Sequence, residues 1–242
     1  MKTIGLIGGM SWESTAIYYR LLNEKARTER GGLSSARILL HSLDFSEIVD
    51  FQKAGRWDLA AERLAGSARG LEAAGADCVL IATNTMHLVA DAVAAAIDVP
   101  LIDIVAETGH RIAEAGGRRP LLLATRYTME HGFYADRMER MAGIRPLVPE
   151  AGDRAEVHRI IFDELCLGRV EEASRARMLA IVERGRAAGA DSVILGCTEI
   201  CLLLDPDALP LPGFDSTSIH ADAASRFATD SGAVQLRERV AA

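Results

Sequence analysis

Lysine is scarce in this chain. Of 27 basic residues only Lys2, Lys25 and Lys53 are lysines. Lys2 opens a candidate strand, Lys25 sits late in a candidate helix and Lys53 lies in a polar stretch, so none reads as the buried amine that a pyridoxal Schiff base needs. That argues against this cofactor, and no other cofactor and no metal set is read. A basic excess is also missing: Lys+Arg is 27 against Asp+Glu 34, a formal charge of −7, where a nucleic-acid binder usually carries a basic face. No apolar run has the length that crosses a bilayer. The four cysteines, Cys78, Cys166, Cys197 and Cys201, lack metal-ligand spacing and form no small secreted framework. A reduced, cytoplasmic protein is the simplest expectation, without nucleic-acid or membrane partners. Familiar signatures are absent as well. Gly5-Leu6-Ile7-Gly8-Gly9 is not the dinucleotide fingerprint, and there is no phosphate loop, no His-Glu-x-x-His and no Gly-x-Ser-x-Gly.

What is present is a globular core. The 242 residues are 49% apolar and 25% charged, which suits one large or two small domains. The N-terminal Met1–Gly9 stretch is too short and too Gly-punctuated for a signal peptide and reads as a first strand. Short aliphatic runs alternate with longer amphipathic ones. Strands are expected at Thr3–Ile7, Arg37–His41, Cys78–Ala82, Leu121–Ala124 and Ser192–Leu195, with weaker ones at Leu101–Ile102 and Leu211–Pro212. Helices are expected at Ser14–Arg27, Asp58–Ala74, Met86–Ala96, Ala106–Ala115, Glu130–Met141, Ala155–Leu167 and Ser174–Ala188. Alternation of this kind predicts α/β layers, and strands without polar alternation predict burial on both faces.

An internal repeat is the most informative feature. Ala73-Ala74-Gly75-Ala76-Asp77 recurs as Ala187-Ala188-Gly189-Ala190-Asp191. Each copy ends a helix at a glycine and runs into a hydrophobic strand. Those strands end, at the same offset, in Thr83-Asn84-Thr85 and Cys197-Thr198-Glu199. The fold class expected is therefore α/β, with two pseudo-symmetric domains, mainly parallel sheets and an interdomain active-site cleft. The division expected is 1–100 plus 213–242, and 101–212. Thr83 and Cys197 become pseudo-symmetric partners.

Ligands of open α/β sheets gather at the carboxyl ends of strands. Here those ends carry Gly8-Gly9-Met10-Ser11, Thr83-Asn84-Thr85, Thr125 and Cys197-Thr198-Glu199. Ser, Thr and Asn also cap helices, but four such ends together favour a site. Cys197 has the chemical power: a thiol near a helix start can have its pKa lowered below the free value of about 8.5 and could then act as nucleophile or base, though the sequence does not show its ionisation state. Cys78, Cys201 and Cys166 read as packing residues. His87 either orients substrate or shuttles a proton, or else caps and packs. His41, His110, His131 and His158 read as packed or solvated, and His220 begins the last helix.

These motifs, Gly8-Gly9-Met10-Ser11-Trp12-Glu13-Ser14-Thr15, Thr83-Asn84-Thr85-Met86-His87, Thr125-Arg126-Tyr127-Thr128-Met129-Glu130 and Gly196-Cys197-Thr198-Glu199, resemble the aspartate/glutamate racemase family, the cofactor-independent amino-acid racemases. The resemblance spans residues 1–228. It implies two α/β domains, a homodimer, and removal of an α-proton by one cysteine with reprotonation from the opposite face. Cys197 matches the second family cysteine, and Thr83 stands where the first is found. A similar subgroup has Thr there and is associated with acidic amino acids, preferring the L substrate. The resemblance further implies substrate contacts at Met10, Ser11, Gln52, Asn84, Thr85, Thr125 and Thr198, with an amino acid as the partner. Positions that hold a basic pair in some relatives are Ile48 and Cys166 here. The expectation is racemisation of aspartate or glutamate by Cys197 and Thr83 as catalytic residues. The alternatives are a broader racemase, isomerase or decarboxylase on this scaffold, or a non-catalytic amino-acid-binding protein.

Overall fold

A strand whose residues are all apolar is stable only where both faces are covered, and helices must then return the chain between parallel neighbours. The computed structural model, which describes residues 1–230, follows that rule. The stretch Ser231–Ala242 lies outside the described residues. Two units are distinguished: Met1–Ala82 with Val89–Ile102 and the chain from Ala221 on, and Thr83–Leu88 with Asp103–His220.

The first unit begins with β1 (Ile4–Gly8), buried at every residue. Helix α1 (Trp12–Arg30) starts at Ser11, whose side chain accepts the amide of Ser14, and carries Glu13 in its first turn and Arg27 and Arg30 in its last. Both charge placements suit the helix dipole. β2 (Ile38–Ser42), α2 (Phe45–Lys53), α3 (Trp57–Ala73), β3 (Cys78–Ile81), α4 (Ala90–Ala94) and β4 (Leu101–Ile102) follow. The sheet order is β2-β1-β3-β4, parallel throughout. Its core holds Ile4, Leu6, Tyr18, Leu22 and Leu80, together with Ala221, Ala224 and Ala228 of the last helix. Each fully buried aliphatic side chain contributes about 1.5–3 kcal/mol by leaving water.

The second unit contains α5 (Ile104–Glu114), β5 (Pro120–Leu123), α6 (Arg126–Glu130), α7 (Phe133–Ala142), α8 (Ala151–Arg159), α9 (Glu172–Ala187), β6 (Ser192–Leu195), α10 (Ile200–Leu203) and β7 (Gly213–Asp215). Helix α11 (Ser216–Thr229) starts here and passes into the first unit at Ala221. The sheet order is β5-β6-β7, again parallel. Leu147 adds a bridge to β5, its amide donating to the Pro120 carbonyl at 2.8 Å and its carbonyl accepting from Leu122 at 2.8 Å. The order Leu147-β5-β6-β7 thus repeats β2-β1-β3-β4.

The sequence repeat has one structural meaning in both units. Gly75 and Gly189 stop their helices with φ of 96° and 93°. Only glycine enters that region without strain. The next amides, of Ala76 and Ala190, reach back to the carbonyls of Leu71 and Gly185 at 3.0 Å. The repeated aspartates then tie the strand they open to its neighbour. Asp77 Oδ2 accepts from the Thr3 amide at 2.7 Å. Asp191 Oδ2 accepts from the amides of Arg118 and Arg119 at 2.6 and 2.9 Å.

Several expected elements differ. Met86–Ala96 is a 3₁₀ turn at Thr85–Val89 followed by the short α4. The expected helix Glu130–Met141 is broken at Gly132, whose φ of 75° separates α6 from α7. Ala155–Leu167 starts earlier, at Ala151, passes through a π-helical segment at Ile160–Glu164 and ends in a 3₁₀ turn at Leu165–Leu167. The last strand is Gly213–Asp215 in place of Leu211–Pro212. Proline has no amide to give a ladder, so the strand starts after Pro212.

Candidate active site

β6 ends at Leu195, and the Gly196 amide donates to the Leu123 carbonyl at 2.8 Å. Cys197 follows, half-buried, and its thiol donates to Glu199 Oε2 at 2.9 Å. Thr198 and Glu199 are buried beside it. The lowering that a helix start could give the thiol is not found here. Burial first, and then the negative charge of Glu199, hold the Cys197 thiol well above its ordinary 9.0. The helix that could lower it is α10, only four residues long and starting three residues further on. A dipole of that length has little to offer against an adjacent carboxylate. Cys197 therefore rests as a neutral thiol with an acceptor already in place.

The segment after β3 belongs to the second unit. Thr83 is half-buried and its carbonyl faces Nδ1 of His87 at 2.8 Å. Asn84 Nδ2 donates to Ser216 Oγ at 3.1 Å, and Ser216 Oγ donates to the Leu195 carbonyl at 2.9 Å. This chain fixes the amide orientation. Ser216 spends its one hydrogen on Leu195, so it can only accept from Asn84. Asn84 Oδ1 is left buried with no partner. A buried acceptor in that state costs about 1–3 kcal/mol, which a donor brought by a ligand would offset.

Thr85 Oγ1 lies 3.1 Å from Thr125 Oγ1 and 3.0 Å from Thr128 Oγ1, and those two are 3.1 Å apart. Three hydroxyls thus converge where β5 runs into α6, and the Thr83–Thr85 segment is bonded to the ends of both β5 and β6. The second unit holds Cys197, Thr83, Asn84, Thr85, Thr125 and Thr198 of the expected site. Met10, Ser11 and Gln52 belong to the first. There Met10 and Gln52 are buried, and Ser11 caps α1 while its carbonyl accepts from Thr15 Oγ1 at 2.8 Å.

Other candidates fall out of contention. Cys78 is buried inside β3 with its thiol pushed up to about 12, mainly by burial. Cys201 and Cys166 pack against the second core, and burial raises the Cys201 thiol. His110 and His131 are exposed. His158, half-buried, accepts the Arg126 amide at 3.4 Å. His87 and His220 are buried.

Sequence reasoning missed Glu199, Thr128 and Ser216 as site residues. Glu199 carried a readable signal, an acid two positions after the reactive cysteine. Thr128 stands one helical turn after Thr125. Ser216 had none, because it meets Asn84 only through the fold, 132 residues apart.

A signature described as Asp/Glu/hydantoin racemase matches residues 7–224 of the chain. Three solved structures are similar. A Yersinia pestis protein provisionally assigned as an Asp/Glu racemase is 46% identical, with TM-score 0.90, over 95% of this chain and 100% of that one. An aspartate racemase homologue from Pyrococcus horikoshii is 33% identical, with TM-score 0.84 and coverage of 95% and 100%. The aspartate racemase of Picrophilus torridus, at 22% identity and TM-score 0.73, covers 94% of each and shares the fold. The chain belongs to the Asp/Glu/hydantoin racemase family.

Proposed function

We propose that this racemase interconverts the enantiomers of an acidic amino acid, aspartate or glutamate, with no pyridoxal cofactor. Cys197 exchanges the α-proton on one face and Thr83 on the other. The observation that carries this reading is the Cys197–Glu199 pair at the end of β6, with the Thr83 segment bonded to that same strand end through Asn84 and Ser216.

The chemistry follows from the pair. A free thiolate beside Glu199 is disfavoured by burial and like charge. If Glu199 takes the thiol proton, however, the negative charge only moves 2.9 Å and none is added. The resulting thiolate removes the α-proton. Thr83 can return one from the opposite side, since even a weakly acidic hydroxyl protonates a carbanion readily. It is a poor base in reverse. Because enantiomers have equal free energies, kcat/KM must match in the two directions, so slow turnover of one enantiomer comes with a low KM. Asn84 Oδ1 accepts from the substrate ammonium. Thr85, Thr125, Thr128 and Thr198 donate to carboxylate oxygens. The resemblance adds Met10, Ser11 and Gln52 as contacts.

The test is proton NMR in deuterium oxide with both enantiomers of aspartate and glutamate and no added cofactor. The expected result is loss of the α-hydrogen signal with appearance of the mirror isomer. No exchange with any of the four would sink the reading. Thr83→Cys is expected to raise turnover of the slower enantiomer by on the order of tenfold or more, as a base of lower pKa replaces the hydroxyl.

Glu199 makes a separate prediction. Glu199→Gln removes a negative charge that disfavours the thiolate, so Cys197 at pH 8 should react faster with iodoacetamide. Racemisation should fall at least about tenfold, since the proton acceptor is gone. Mass spectrometry and the exchange assay read the two effects, and movement in the same direction contradicts the role given to Glu199.

A further inference from the structure

His87 is buried, and both ring nitrogens are engaged within the second unit. Nδ1 lies 2.8 Å from the Thr83 carbonyl oxygen. Nε2 lies 3.3 Å from the amide of Ile104. A backbone N–H can only donate, so Nε2 must accept. Nδ1 then carries the ring proton and donates to Thr83. One neutral tautomer satisfies both bonds, and the imidazolium satisfies one only.

The place of Ile104 explains the second bond. Asp103 caps α5, its Oδ1 accepting the amides of Val105 and Ala106 at 2.9 and 3.0 Å. The amide of Ile104 is the first-turn donor that this cap leaves over, and His87 takes it. Charged and titratable groups facing the ring are Asp103 from the cap, Arg137 from α7 and His220 from α11. Arg137 pairs with Asp103 Oδ2, and His220 stands edge-on with ring centroids 5.8 Å apart.

We infer that His87 is a positioning residue for Thr83: its neutral ring ties the Thr83 carbonyl to the capped start of α5 and so fixes the direction from which the hydroxyl meets the α-carbon. Burial, the largest influence, keeps the ring neutral by lowering its pKa below 6.5. The inference rests on the proposed racemisation for its catalytic part, and the anchor itself can be tested without it.

Two amides separate the two bonds. An asparagine amide overlays Nδ1 and keeps a donor for Thr83. A glutamine amide overlays Nε2 and keeps an acceptor for Ile104. The readout is inversion per α-hydrogen exchange event in deuterium oxide, starting from the enantiomer that Cys197 deprotonates. Exchange needs Cys197 alone, whereas inversion also needs Thr83. In His87→Gln this ratio should fall on the order of 10²-fold, the usual cost of a small misplacement of a reacting group. In His87→Asn it should fall less than about tenfold. A general loss of folded protein lowers exchange and inversion together and leaves the ratio alone.

Nitrogen-15 NMR of the wild-type ring is the second arm. A protonated Nδ1, a bare Nε2 and no titration near 6.5 are expected. An unchanged ratio in His87→Gln, equal ratios in the two variants, the other tautomer, or an ordinary titration would each overturn the inference. A wild-type protein with no exchange at all would refute the racemase reading and with it the catalytic part, while the tautomer would still decide the anchor.

Discussion

Cys197→Ala is expected to lower α-hydrogen exchange of the enantiomer that Cys197 deprotonates by on the order of 10³-fold or more, which is the upper part of what a positioned acid or base contributes. The size follows from the division of labour. Thr83 remains in the variant, but it meets only the opposite face of the α-carbon, so the enantiomer that Cys197 served is left without a base. Glu199 remains too, yet its Oε2 was placed 2.9 Å from sulfur and loses its donor. Binding should survive, because Asn84 and the three threonine hydroxyls of the β5 end are untouched. Isothermal titration would therefore still register that enantiomer while NMR registers almost none of its exchange. Folding should survive as well. The side chain is small and half-buried, so only a modest cavity is left. Wild-type turnover in this variant would remove Cys197 from the mechanism and leave the proposed chemistry without a base.

How much of this was legible in the sequence depends on the range of the interaction. The strands β1, β3, β5 and β6 are local apolar runs ended by glycine or polar residues, and the sequence marks them to within a residue or so. The Gly75 and Gly189 stops are local as well, and the repeat could be read directly. The start of α2 was overlooked despite a local cue, Asp44 accepting from the Ser46 amide at 2.9 Å. Non-local features were out of reach. That α5 packs with the second core and the end of α11 with the first follows from tertiary packing, which no window of residues records. At the site, the strand ends mark Thr83, Asn84, Thr85, Thr125 and Cys197 as candidates by position. The ionisation of Cys197 was not legible, because its burial and the rotamer of Glu199 decide it and neither is written in the spacing. The role of His87 stayed open for the same reason: its partners are the Thr83 carbonyl and an amide 17 residues away.

The second large effect is on stability, at Asp103. Its carboxylate does two things at once, capping α5 through Oδ1 and pairing with Arg137 through Oδ2, and both partners are buried at 6% and 9% exposure. Asp103→Ala removes the cap, worth about 0.5–2 kcal/mol, and takes the paired carboxylate from a buried guanidinium, which costs about 3–5 kcal/mol. The two losses share one carboxylate and need not add, so a destabilisation of about 3–5 kcal/mol is expected in urea unfolding. The double variant Asp103→Ala/Arg137→Met, with both charges of the pair removed, should recover a substantial part of it. A loss no larger than that of a helix cap alone would mean that Arg137 finds other partners. The pH dependence separates Asp103 from its neighbour His87. Burial pushes the Asp103 carboxyl up, but His87 in its charged form, then Arg137 and the Ala106 amide, more than offset this and leave it below its ordinary 3.8. The stability it supplies is complete above that value and is lost as the pH falls through it toward the folded-state value. Burial likewise depresses the His87 pKa below 6.5, so its contribution is complete above 6.5 and starts to fall at that higher pH. The stability of the wild-type protein should therefore fall in two stages as the pH is lowered. Asp103→Ala should flatten the lower stage, whereas His87→Asn should flatten the upper one.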